Sequence, residues 1–315
     1  MKRKSKLLAA AIGLLGFSTA ASITGTVAWF TASNVVSMEG IYVQADKEEG
    51  FVINNEGLVL ANWGTTIEAS HDGKITGESG QVQAKFVPTS TVNATAWYHA
   101  NAEHQNDHTA AQGTVYTALT TEIAEANTGV YKAQISDGIN KNLYLLNSFY
   151  LKASTTTILN ANGLWAKVTA ASEEDTPVST ALNNSLRVLV RYGVGADSDA
   201  DGHADAGHAS DAGYTYSGAT IWAPFRTSET DEYRTYTVAG STSVTAKRGG
   251  EVAQLGTAAV AIPANNATNK DVDTFRVQVF AYFEGEDHDC YSDNITATLD
   301  KLSVAVKLST SSTIA

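Results

Sequence analysis

At 315 residues, with 43% hydrophobic and 17% charged side chains, the chain can pack one large β domain or two medium ones and carries too little charge to stay a solvated, disordered polymer. Its 21 basic and 33 acidic residues leave a formal charge of −12, a field that repels phosphate and excludes a duplex-binding role. The single cysteine, Cys290, rules out an intrachain disulfide and reads as a small buried hydrophobe.

The first element is a leader. Lys2, Arg3, Lys4 and Lys6 precede the apolar run Leu7–Phe17, and small residues follow from Ser18 to Ala28. This is the order of a secretory signal peptide, assigned to residues 1–28. The apolar run falls short of the roughly 20 residues a spanning helix needs. An uncleaved anchor extended through Ala20, Ala21 and Ile23 is the alternative, and small and polar residues interrupt it. Ser18-Thr19-Ala20 and Thr26-Val27-Ala28 both suit a cleavage site.

The stretch Gly25-Thr26-Val27-Ala28-Trp29-Phe30-Thr31-Ala32-Ser33-Asn34 resembles the leader end of the TasA/camelysin family of exported Firmicute biofilm-matrix and surface proteins. Thr31 and Ser33 stand where that family commonly has an acidic residue. The resemblance implies cleavage after Ala28, a secreted or cell-surface location in a Gram-positive-type bacterium, and a structural role in a matrix or fibre. Camelysin-type relatives have been classed as peptidases, so it also keeps a surface metalloprotease in view. Asn147-Ser-Phe-Tyr-Leu-Lys152, Leu186-Arg-Val188 and Glu284-Gly-Glu-Asp-His-Asp-Cys290 are loosely similar to uncharacterised Firmicute surface proteins, which implies one β-rich ectodomain over residues 29–315.

Beyond the leader, period-two patterns dominate. Strands are expected at Val35–Ala45, Val82–Val87, Leu143–Ala153, Leu164–Ala170, Leu186–Tyr192, Thr220–Trp222, Thr235–Val238, Ser243–Ala246, Ala258–Ile262, Phe275–Phe283 and Leu302–Leu308. β-Branched and aromatic residues fill them. In the last, Leu302, Val304, Val306 and Leu308 share one face while Ser303, Ala305 and Lys307 share the other, the signature of a half-buried antiparallel strand. Thr117–Asn127 and Thr176–Asn184 are the helix candidates. The polar segments 93–113 and 196–213 read as inserted surface loops. Many strands with few short helices predict an all-β chain, an antiparallel β-sandwich or jelly-roll-like fold.

Few patterns carry chemistry. Asp197, Asp199, Asp201 and Asp205 form D-x-D-x-D-G-x-x-D, with Gly202 at the turn. Alternate carboxylates can supply the oxygens calcium takes. The twelfth loop position holds His208 rather than Glu, and the flanks look like strands, so a solvated acidic loop is the competing reading. His99, His104 and His108 are imidazoles of a kind zinc accepts, but H-E-x-x-H is absent and a polar loop is the simpler expectation. The acidic run Glu284–Asp289 reads as a solvated hairpin tip, since neighbours on one turn cannot flank a glycosidic bond. No G-x-S-x-G elbow, P-loop or G-x-G-x-x-G occurs, so no cofactor beyond calcium is expected and an enzyme is not the leading reading. Trp29, Trp63, Trp97, Trp165 and Trp222 are expected to be mostly core.

The expectation is a secreted structural protein that self-associates or meets other surface proteins, with no nucleic-acid partner and no transmembrane anchor after cleavage. Trp29–Ala45 would be a free, β-prone N-terminal segment able to add a strand to a neighbour's sheet. A monomeric adhesin or glycan-binding module, or the metalloprotease, are the alternatives.

Overall fold

The computed structural model describes residues 36–45, 50–54, 63–69, 82–84, 89–100, 116–118, 122–123, 129–134, 140–172, 184–195, 214–224, 235–238, 242–256, 259–264, 275–285, 287, 290 and 302–314. In chain order the strands are β1 (Val36–Ala45), β2 (Phe51–Asn54), β3 (Thr66–Ala69), β4 (Val82–Ala84), β5 (Thr89–Ser90), β6 (Tyr98–Ala100) and β7 (Tyr116–Ala118). Then come β8 (Glu122–Ile123), β9 (Gly129–Gln134), β10 (Asn140–Ala153), β11 (Leu159–Ala161), β12 (Leu164–Ser172), β13 (Leu186–Gly195) and β14 (Tyr214–Ala223). The last are β15 (Thr235–Val238), β16 (Thr242–Thr245), β17 (Lys247–Arg248), β18 (Val252–Leu255), β19 (Val260–Ile262), β20 (Phe275–Phe283) and β21 (Leu302–Ser309). The chain is all β, as its period-two pattern predicts.

Two sheets face each other. The smaller runs β18-β12-β21-β1-β3, with β4 also on β1. The larger runs β17-β14-β13-β20-β10-β9-β8, with β2 also on β10. The main core lies between them: Val43, Val168, Val306 and Leu308 from one side, Leu145, Phe149, Val188, Trp222, Val277 and Val279 from the other. The expected antiparallel order holds for most pairs, but β1 runs parallel to β21 and β14 parallel to β17.

The sheets differ in what covers their outer faces. β21 alternates as the sequence indicates: Val304, Val306 and Leu308 are buried while Ala305 and Lys307 are exposed. β20 does not, because all nine of its residues are buried. Its inward row, Phe275 to Phe283, enters the main core. Its outward Phe280 and Tyr282 enter a second core with Trp97, Tyr144, Leu146, Leu189, Ile221 and Tyr236. An outer layer, the β5-β6-β7 sheet and the β15-β16 hairpin, thus covers the outward side chains of β10, β13, β14 and β20 that form this second core.

This layer corrects two expectations. Residues 93–113 are not wholly a surface loop: Trp97 is buried and Tyr98–Ala100 is a strand. Thr117–Asn127 is not a helix where it is described, since Tyr116–Ala118 pairs with β6 and Glu122–Ile123 with β9. Pairing to neighbouring strands overrides the mild helix preference of its Ala and Glu residues. Of Thr176–Asn184 only Asn184 is described, in a helical turn just before β13.

The two sheets meet directly at one side. Gly218 on β14 has φ +68°, and a Cβ there would lie 2.6 Å from Gly256 N and 2.7 Å from the Leu255 carbonyl carbon. Only glycine allows both this backbone and this approach. Beside it Trp222 Nε1 donates to Glu251 O at 2.9 Å, so the β14 and β18 edges close on each other.

Candidate functional site

The feature with the clearest functional bearing is β1. It is the first described strand, yet it lies inside the smaller sheet rather than at its edge. On one side it pairs in parallel with β21, from Met38↔Leu302 to Ala45↔Leu308, with an irregularity between Met38 and Gly40. On the other it pairs antiparallel with β3 and β4. Val43 and Ala45 are fully buried, against the inward row of Val306 and Leu308, while Gln44 faces water. The expected free segment is therefore corrected: Val36–Ala45 satisfies its backbone groups within its own chain, because an unpaired strand beside the β21 edge would leave both ladders open. Trp29–Val35 and the leader lie outside the described residues.

A second site is chemically dense and buried. The acidic run after β20 is not a solvated tip where it is described. Glu284 is 0% and Asp287 5% exposed. Asp287 Oδ2 accepts from Arg187 Nη2 at 2.6 Å, with both side chains fully buried. Ser90 Oγ donates to Glu284 Oε1. The turn is held by Glu284 N to Ser185 O (2.7 Å), Gly285 N to Thr89 O (3.1 Å) and Cys290 N to Asp287 O (2.9 Å). Tyr236 and Tyr282 close the group, their hydroxyls 3.2 Å apart, with the Arg187 guanidinium 5.7 Å from the Tyr236 ring centre.

Burial sets the protonation states here. It pushes the Tyr236 and Tyr282 phenols up, with the Glu284 carboxylate adding to the shift in each. It also pushes up the Cys290 thiol, against a hydrogen bond from Ser185. For Arg187 burial pulls downward, but the carboxylates of Asp287 and Glu284 hold the guanidinium above its ordinary value. The group keeps an ion pair and neutral hydroxyls in the dark of the fold. Cys290 is a core residue, as its sequence context suggests. These groups tie the outer layer's β5 to the end of β20.

The remaining candidates divide. Asp197, Asp199, Asp201 and Asp205 lie outside the described residues, as do His104 and His108. Of His99 only the backbone is described, paired with Thr89 and Thr117. The ends of the aspartate loop are placed together, since Gly195 pairs with Tyr214. Trp97 and Trp222 are core. Trp63 and Trp165 are partly buried, and Lys152 stacks 4.1 Å over the Trp63 ring. Comparison with protein-family models, curated proteins and solved structures finds no match.

Proposed function

We propose that the protein is an exported structural subunit of a cell-surface fibre or biofilm matrix, assembling by β-strand addition through β1. The leader and its resemblance to the TasA/camelysin family support export and a matrix role. The observation that carries the assembly step is the parallel seam between β1 and β21. No hairpin joins these strands; they come from opposite ends of the described chain. A β1 that lay on a neighbour's β21 would take its β3 and β4 pairings from that neighbour too. Exchange between copies keeps each backbone bond and each buried side chain, the condition under which swapped and closed forms are close in energy.

Electron microscopy of the chain beginning at Trp29 is expected to show filaments, and a chain beginning at Asp46, which lacks the whole of β1, is expected to lose them. Identical filaments from both would defeat the exchange. A second readout uses Gln44→Cys with Lys307→Cys, an outward pair in register. Oxidised filaments should run as a ladder on a non-reducing gel, whereas a self-paired strand gives cross-linked monomers only.

Calcium belongs to the same reading. Asp197, Asp199, Asp201 and Asp205 follow one another in the sequence between the paired Gly195 and Tyr214, and repulsion among such closely spaced carboxylates would be relieved by a bound cation. Calorimetry is expected to register calcium binding in the micromolar-to-millimolar range typical of extracellular modules. A flat titration through millimolar calcium, on protein shown to be folded, removes the site.

A further inference from the structure

We propose that Asn162-Gly163 is a site of spontaneous covalent modification, where the Asn162 carboxamide closes onto the Gly163 peptide nitrogen and reopens as aspartate or isoaspartate, with Gln254 positioning the reacting peptide bond. Asparagine is a thermolabile residue, and this is the only Asn-Gly in the chain. The pair makes the whole connection between β11, which ends at Ala161, and β12, which begins at Leu164. Asn162 is exposed there and Gly163 is buried. Among the described residues nothing hydrogen-bonds the Asn162 carboxamide, so it can turn onto the next peptide nitrogen. Gly163 has no β-carbon to obstruct that approach.

Water is the sole co-reactant. The Gly163 nitrogen gives up its proton and bonds to Asn162 Cγ, the side-chain nitrogen leaves as ammonia, and a succinimide ring closes. Water then opens the ring at either carbonyl. One opening leaves an ordinary aspartate; the other leaves an isoaspartate, whose main chain is longer by a methylene. Both add a negative charge to the turn.

The fold contributes a donor to the first step. Gln254 Nε2 donates to Asn162 O at 3.4 Å. As the Gly163 nitrogen loses its proton, peptide resonance spreads the charge onto that oxygen, so a donor there stabilises the attacking form. The β12–β18 pairing brings Gln254 to the turn by setting it opposite Trp165. Its amide end lies across Gly163, where an added Cβ would meet it. Gly163 itself lies outside the left-handed region, so alanine there displaces the mobile end of Gln254 without straining the backbone. The residues flanking the pair are tied down: Ala161 to Val260, and Leu164 to Leu255. Leu164 is fully buried in the main core. A longer main chain between them therefore loosens the shorter β11–β19 pair rather than β12.

Warming the purified, folded protein in neutral buffer, with every asparagine followed by peptide mass spectrometry, tests this. Asn162 is expected to convert first. Converted protein should exchange amides faster than fresh protein at Leu159–Ala161 and Val260–Ile262. Gln254→Leu should slow conversion about threefold, as expected for loss of a weak hydrogen bond to a developing charge. Gly163→Ala should slow it about tenfold or more, because a β-carbon hinders the near-attack geometry. A turn merely loosened by the Gln254 change would convert faster, not slower. Asn162 still intact after other asparagines have begun to convert, or a rate unmoved or raised by Gln254→Leu, would overturn the proposal.

Discussion

Replacing Arg187 by Met is expected to cost about 3–5 kcal/mol of folding stability, measured by urea denaturation. The side chain is fully buried beside Asp287, which is equally buried, and Glu284 is 0% exposed in the same group. Removing the cation leaves two buried acids without the charge that offsets them, and removing a partner costs more than a pair contributes. Asp287→Asn should cost less than Arg187→Met, because Glu284 still faces Arg187 electrostatically. Arg187→Met combined with Asp287→Leu should recover much of the loss, since an apolar pair of similar volume is often neutral or better. Equal stability of the native protein and the Arg187→Met variant would show that water reaches the group and that the outer layer does not seal it.

That cluster marks where reading the sequence stops. Glu284-Gly-Glu-Asp-His-Asp289 looks solvated because composition cannot see a partner distant in the chain, and Arg187 is such a partner. The strands themselves were far more legible. β21 and β20 both announce which residues share a face. What period two does not tell is whether the polar face meets water or another layer. In β21 it meets water. In β20, Arg276 and Gln278 are fully buried: Arg276 donates to Tyr216 Oη at 3.0 Å and to Ser148 Oγ at 2.9 Å, and Gln278 accepts from Arg191 Nε at 2.8 Å. Polar residues that bond one another across a sheet look, one at a time, like surface.

Short strands escaped for a different reason. Pieces such as Thr89–Ser90 or Glu122–Ile123 hold too few residues to show a period, and they are strands only because β6 and β9 lie beside them. The parallel β1–β21 seam was illegible for a related reason. Alternation assigns faces and not partners, so a segment written to be a strand gives no sign of whether its own sheet or a neighbour's receives it.

The outer layer itself yields the last expectation, because its anchor is an indole expected to be core that nonetheless falls within a segment read as a surface loop. Trp97 is 5% exposed, stacked on Tyr144 with centroids 4.1 Å apart and edge-on to Tyr282 at 5.3 Å. Trp97→Ala should cost about 3–5 kcal/mol, the range for a large aromatic removed from a packed site. The loss should also be local. Arg191 holds the Asn93 and Ala94 carbonyls at 3.2 Å, but these bonds and the Glu284 link do not replace the apolar contact that covers Tyr144, Phe280 and Tyr282. Amide hydrogen exchange should therefore quicken at Thr89–Ala100 and on the β15–β16 hairpin, while β12 and β21 keep their protection. Trp222→Ala, which empties the main core instead, should quicken exchange in both sheets together. If the two variants gave the same exchange pattern, the second core would be part of one cooperative unit with the first, and the outer layer would be no separate cover but a continuation of the sandwich.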